Sequence, residues 1–134
     1  MKLTLKAFFA LLMALLLAVA GGWVWGAAGR SRAEESLGQT GVRLHLTAAR
    51  AAILEARVHL FEINFGDASR SLENARGDLK AAAGAFDRSG RQEAAVAVRA
   101  ALARVDEAQQ LAGRLDQTAN ARLADAIGLL PKMP

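Results

Sequence analysis

Between Lys6 and Arg30 the chain carries no formal charge for 23 consecutive residues, Ala7 to Gly29. As a helix, such a run rises about 35 Å, enough to cross a hydrocarbon core of roughly 30 Å with some tilt. The run therefore reads as a transmembrane helix. Residues 1–29 are expected to form an uncleaved anchor and residues 30–134 an extramembrane helical domain. Within the run, Ala10, Ala14, Ala18, Gly22 and Gly26 recur every fourth residue. Lipid tails are as apolar as leucine, so membrane helices associate by close van der Waals packing, which small residues permit. The stripe predicts packing against a neighbouring span, either a second copy or another transmembrane subunit.

The same region also fits a secretory signal. Lys2 and Lys6 form a basic start, Ala7 to Leu17 an apolar core, and Ala18-Val19-Ala20 a cleavage pattern. Apolar sequence continues through Trp23, Val24 and Trp25 to Ala28, longer than a signal core requires, and this favours a retained anchor. Cleavage after Ala20 would release a secreted helical bundle instead. A short basic segment before the first apolar run is the usual pattern for a cytoplasmic N-terminus, and Trp23 and Trp25 then belong to the opposite interfacial belt. The expected location is the bacterial inner membrane, with the C-terminal domain in the periplasm.

Residues 30–134 leave room for one small domain. Setting Lys2 and Lys6 aside, this part has 15 basic and 13 acidic residues, mixed along its length. Nucleic-acid binding needs basic residues clustered on one face, so no nucleic-acid partner is expected. Cysteine is absent, which excludes a disulfide, a thiolate metal site and a cysteine nucleophile. The two prolines are Pro131 and Pro134, and a chain rich in Ala, Leu and Arg without internal proline reads as nearly all helix.

From Val42, the positions Val42, Leu46, Ala49, Ile53, Ala56, Leu60 and Ile63 alternate in steps of four and three, a heptad seam. One helix is expected from Leu37 or Arg43 to Phe65, with Arg43, Arg50, Arg57, Glu55 and Glu62 away from the seam. Gly66-Asp67 is the expected break, with Asp67 capping the next helix. That helix, Ala68 to Phe86, repeats the spacing through Leu72, Ala75, Leu79 and Ala82. So tight a turn requires antiparallel packing. Ser89 with Gln92 forms a capping-box pattern. A third seam follows in Ala95, Val98, Leu102, Val105, Ala108, Ala112 and Leu115. Thr118 then caps a short fourth helix ending at Leu130, or the third helix continues through Gly113. The fold class is thus all-α: one N-terminal transmembrane helix, then a three- or four-helix antiparallel hairpin or bundle. Seams so rich in alanine bury little area per helix, and at about 25 cal/mol per Å² such a core calls for support from a partner.

Residues Ala52 to Ala75 resemble one tetratricopeptide-type helical hairpin. Ala56 stands at the small-residue position, Phe65 at the aromatic before the second helix, and Ala68, Leu72 and Ala75 follow its small, large, small order. Ala52 and Glu55 replace large apolar residues of that pattern, Lys80 replaces its proline, and no second copy follows. The resemblance implies a helical protein-binding surface.

His45 and His59 lie about 21 Å apart along a helix axis and cannot share a metal within one chain. The members of Glu34-Glu35 and Asp106-Glu107 point in different directions on a helix and read as solvated faces. Ser, Thr and Asn occur without an accompanying base. Gly21-Gly22 follows no strand and is no phosphate loop. No catalytic, cofactor-binding or metal residue is assigned. Leu60, Phe61 and Phe65 form a bulky cluster at the hairpin tip, either core or a docking site. The expected function is that of a non-enzymatic, single-pass accessory subunit of a larger bacterial membrane complex, with respiratory or photosynthetic assemblies as candidate hosts. The alternatives are a membrane-anchored helical sensor or ligand-binding domain, and the secreted bundle.

Overall fold

Alanine, leucine and arginine favour helix, and no proline interrupts them before Pro131. The computed structural model describes the backbone of residues 5–132 and the side chains of 12–15 and 37–132. Among the described residues there are four α-helices and no strand: α1 (Leu5–Phe61), α2 (Phe65–Arg88), α3 (Gln92–Gly113) and α4 (Ala119–Leu129). The protein is all-α. The chain divides into two compact units, Met1–Leu37 and Gly38–Pro134.

In the first unit Leu12, Met13, Ala14 and Leu15 are exposed. Among the described residues no helix is long and apolar enough to cross a membrane. The backbone of the uncharged run is helical, but most of its side chains, those of Ala10, Ala18, Trp23 and Trp25 among them, and the surroundings of Gly22 and Gly26 lie outside what is described. Helical backbone is already present well before Leu37, so α1 does not start at Leu37 or Arg43 as its seam alone predicts.

The second unit is a helical bundle whose core begins at Val42. Polar pairs fix the directions of its helices. Along α1, His45 meets Asp78 at 2.9 Å while Glu55 accepts from Ser71 at 3.1 Å, so rising numbers on α1 meet falling numbers on α2. Between α2 and α3, Arg76 donates to Asp106 and Gln109 donates to Ser69, both at 2.6 Å, the same antiparallel sense. Arg122 on α4 lies 3.5 Å from Glu107 on α3, and Arg57 on α1 donates to Asn120 at the start of α4 at 2.7 Å. The fourth helix is real, and α3 does not continue through Gly113.

Of the 24 buried apolar side chains among the described residues, 13 are alanine, so the axes can approach closely while Phe86, Ile53, Leu72 and Leu79 fill the remaining volume. The α2 seam is buried at every position from Ala68 to Phe86, and the α1 seam at every position from Val42 to Leu60. Two seam positions depart from expectation. Ile63 is 65% exposed and Leu115 is 69% exposed, because each follows the end of its helix in the left-handed conformation, φ 59° and 58°.

The three helix ends share one geometry. After α1, the Asn64 amide donates to the His59 carbonyl and the Ile63 amide to the Leu60 carbonyl. After α2, Arg91 donates to Phe86 and Gly90 to Asp87, and after α3, Asp116 donates to Leu111 and Leu115 to Ala112. Each is a Schellman stop built on one left-handed residue, and only Gly90 (φ 71°) is the residue that accepts this without steric cost.

The starts of the helices correct three capping assignments. Asn64, not Asp67, caps α2: its side-chain oxygen accepts from the Asp67 amide at 3.3 Å and its Nδ2 donates back to the Asp67 carboxylate. Ser89 belongs to the end of α2, where its hydroxyl donates to the Phe86 carbonyl at 3.0 Å, and Arg91 precedes α3 without a side-chain cap. Thr118 occupies the cap position of α4 but makes no cap bond of its own. Asp116 organises that turn instead, accepting from the Thr118 amide at 2.8 Å and from its hydroxyl at 2.7 Å.

Candidate functional site

The second unit carries an open, shallow groove of about 780 Å³ between α1 and α2, lined by the small residues Ala48, Ala51, Ala52 and Gly77. Small residues at these positions leave the space, and the side chains that do cross between the helices, His45 to Asp78 and Glu55 to Ser71, lie at its edges. Its polar rim is Glu55, Glu73, Asn74 and Asp78. Each rim carboxylate is engaged: Asp78 by His45, Glu55 by Ser71, and Glu73 by Arg76 at 2.6 Å. Ser71 is itself buried, so its bond to Glu55 satisfies a hydroxyl that would otherwise lack a partner.

Arg76 links two helices. Its Nε reaches Asp106 on α3 while a terminal nitrogen reaches Glu73 one turn back on α2. Hydrogen bonds from Glu73 and then Asp106 push the guanidinium pKa up, and the charge of Asp106 adds to them. Beyond it, Arg99 pairs with Asp87, and Glu107 holds both Arg104 and Arg122. These are solvated ion pairs that fix helix register, not paired carboxylates poised for proton transfer. Asp106 and Glu107 accordingly face different partners.

At the far end, a smaller recess of about 270 Å³ is lined by Arg57, Leu60, Phe61, Gln117, Asn120, Ala121 and Ala124. The three bulky residues at this tip differ in burial. Leu60 is core, 1% exposed, Phe65 is half-buried against the core, and Phe61 stands out at 73% exposed. Ile63 and Leu115 add exposed apolar surface in the tip turns.

The histidines are separate. His45 is tied to Asp78, whereas the buried Nδ1 of His59 has no hydrogen-bond partner and lies 3.6 Å from Glu62, beyond bonding distance. Among the described residues no three His, Cys, Asp or Glu side chains are placed to hold a metal ion. Glu34, Glu35, Gly21 and Gly22 lie outside the described side chains.

Large apolar side chains exposed on α1 itself, Leu44, Leu54 and Val58, form no part of the core seam. Their signal was present as a second set of spacings on that helix, offset from the first. The chain matches no family model, no curated protein and no solved structure.

Proposed function

We propose that the protein is a non-enzymatic, single-pass accessory subunit of a larger bacterial membrane complex, anchored through Ala7–Gly29 and docking or bracing partners with its helical bundle. The observation that carries this reading is the coupling of a 23-residue uncharged run to a bundle with an alanine-rich core and large apolar side chains turned outward, Leu44 at 66% and Phe61 at 73% exposure among them. A run of that length fits a hydrocarbon core, and its four-residue Ala and Gly stripe fits close packing with neighbouring spans. Exposed apolar surface beyond isolated residues marks contact sites for other proteins. In this arrangement the N-terminus is cytoplasmic, Trp23 and Trp25 sit at the outer interface, and the bundle lies in the periplasm. Respiratory and photosynthetic assemblies are hosts of the right kind.

Extraction in mild detergent tests the reading. A stable complex that travels with the chain, and is lost on its deletion, is the expected result. A chain recovered alone, or a mature N-terminus at Gly21 by mass spectrometry, rejects the anchored subunit. Reporter fusions after Arg32 test the orientation, which fails if only cytoplasmic reporters are active.

A further inference from the structure

The solvent face of α1 carries a second heptad seam, opposite the first. Leu44, Thr47, Ala51, Leu54, Val58 and Phe61 follow one another in steps of three and four, and all six are exposed. The core seam of the same helix uses Val42, Leu46, Ala49, Ile53, Ala56 and Leu60, so the two sets never share a position. A heptad spacing of apolar residues is the requirement for a coiled-coil contact; Leu44, Ala51 and Val58 take the a positions and Leu54 and Phe61 two d positions, while the third d position is Thr47, whose hydroxyl donates to the Arg43 carbonyl of its own helix at 2.8 Å.

The residues flanking this seam identify its occupant. Arg50 and Arg57 fall at g positions, and Glu55 and Glu62 at e positions. In a parallel pair, each g residue faces the e residue five positions later on the other helix. Arg50 then meets Glu55 of a second copy, and Arg57 meets Glu62, with both contacts repeated by symmetry. An antiparallel pair would set arginine against arginine and glutamate against glutamate. We infer that α1 docks through this outer seam against α1 of a second copy of the chain, parallel and in register.

The side chains are available for it. Arg50 has no ion-pair partner within the chain among the described residues. Arg57 uses its Nε on Asn120, which leaves its terminal nitrogens as donors. Glu55 accepts one hydroxyl through one oxygen, and Glu62 is exposed. Because the inner face already holds this part of α1 as a helix in the bundle, association does not have to order it, which removes a cost that an isolated peptide of two and a half heptads would bear. The inference does not depend on the proposed anchor, since residues 44–62 carry it.

The absence of cysteine makes the test direct. Leu44→Cys and Val58→Cys, introduced singly into the full chain in cells, are expected to give same-residue disulfide dimers on mild oxidation. Their yield should be at least about fivefold above that of Lys80→Cys, an exposed position on α2, because disulfides require close Cβ approach. Only a parallel pair in register brings both positions, two heptads apart, to their own counterparts. In the Val58→Cys background, Arg50→Glu and Glu55→Arg are each expected to lower the yield, and the two together to restore it. No same-residue dimer at Leu44→Cys and Val58→Cys overturns the inference. So does equal cross-linking at Lys80→Cys, capture of a different protein, no response to the charge reversals, or, in a chain carrying both cysteines, a disulfide that joins only residue 44 to residue 58.

Discussion

Arg76 on α2 and Asp106 on α3 meet side chain to side chain at 2.6 Å, and the same guanidinium holds Glu73. Arg76 keeps 28% of its side-chain area exposed, so solvent screens the pair. Arg76→Ala is expected to lower unfolding stability by about 1 kcal/mol, and a double-mutant cycle with Asp106→Ala to recover a coupling of roughly 0.5–1 kcal/mol. Arg76→Lys should recover little of this, since an ammonium lacks the planar fork that reaches two carboxylates. Urea denaturation measures all three.

Asp116 gives the start of α4 a dependence on pH. The Thr118 amide, and then its hydroxyl, stabilise the charged carboxylate and hold its pKa below the ordinary range. A depressed carboxylate contributes stability that is complete above the unfolded value and disappears as pH falls through the folded one. Asp116→Asn should therefore melt below the parent at pH 7, with the two curves converging under acid conditions below about pH 4. A gap in melting temperature that stays constant down to pH 2 would contradict this.

The left-handed residues at two of the three helix ends predict substitutions that stabilise. Ile63 and Leu115 carry side chains where glycine is the unstrained choice, and both are largely exposed, so little packing is lost on their removal. Relief of about 1–2 kcal/mol of steric strain, set against roughly 0.5–1 kcal/mol of added chain entropy, leaves a net gain near 0.5–1 kcal/mol for Ile63→Gly or Leu115→Gly. Thermal melts should rise by a few degrees. Gly90→Ala, at φ 71°, should fall by a similar amount.

Core alanines and core large residues should fail in opposite ways. Ala75 and Ala101 are fully buried between helices, so Ala75→Leu or Ala101→Leu forces the axes apart at a cost of about 1–3 kcal/mol. Leu79→Ala and Phe86→Ala leave cavities costing about 2–5 kcal/mol. In a core as light as this one the larger losses should abolish cooperative unfolding, visible as a flat melt.

The core was legible because heptad spacing reports burial directly. Val42 to Leu60 and Ala68 to Phe86 are buried as their spacing requires. The pattern misled at Ile63 and Leu115, where apolar spacing runs past a stop that carries no glycine to mark it. Capping was misread for a related reason. Asn64 and Asp116 act through local bonds to neighbours three and two residues on; Asp67 and Ser89 offer the same chemistry a few residues away, and Thr118 sits at the cap position but serves as the donor to Asp116. The outer face of α1 is hard to read from the sequence because apolar residues on both sides of one helix blur its amphipathic contrast. Its opposite charges were visible only as residues away from the core.

The three Schellman stops also bear on how fast the bundle forms. They join successive helices through residues 62–64, 89–91 and 114–118, so each helix meets the next across a very short connection. Most native contacts then lie close in sequence, and little chain has to be searched before they form. A topology of this kind belongs with domains that fold in microseconds to milliseconds. The long-range step is the arrival of α4 beside α1, where Asn120 meets Arg57. That docking, not helix formation, should set the folding rate.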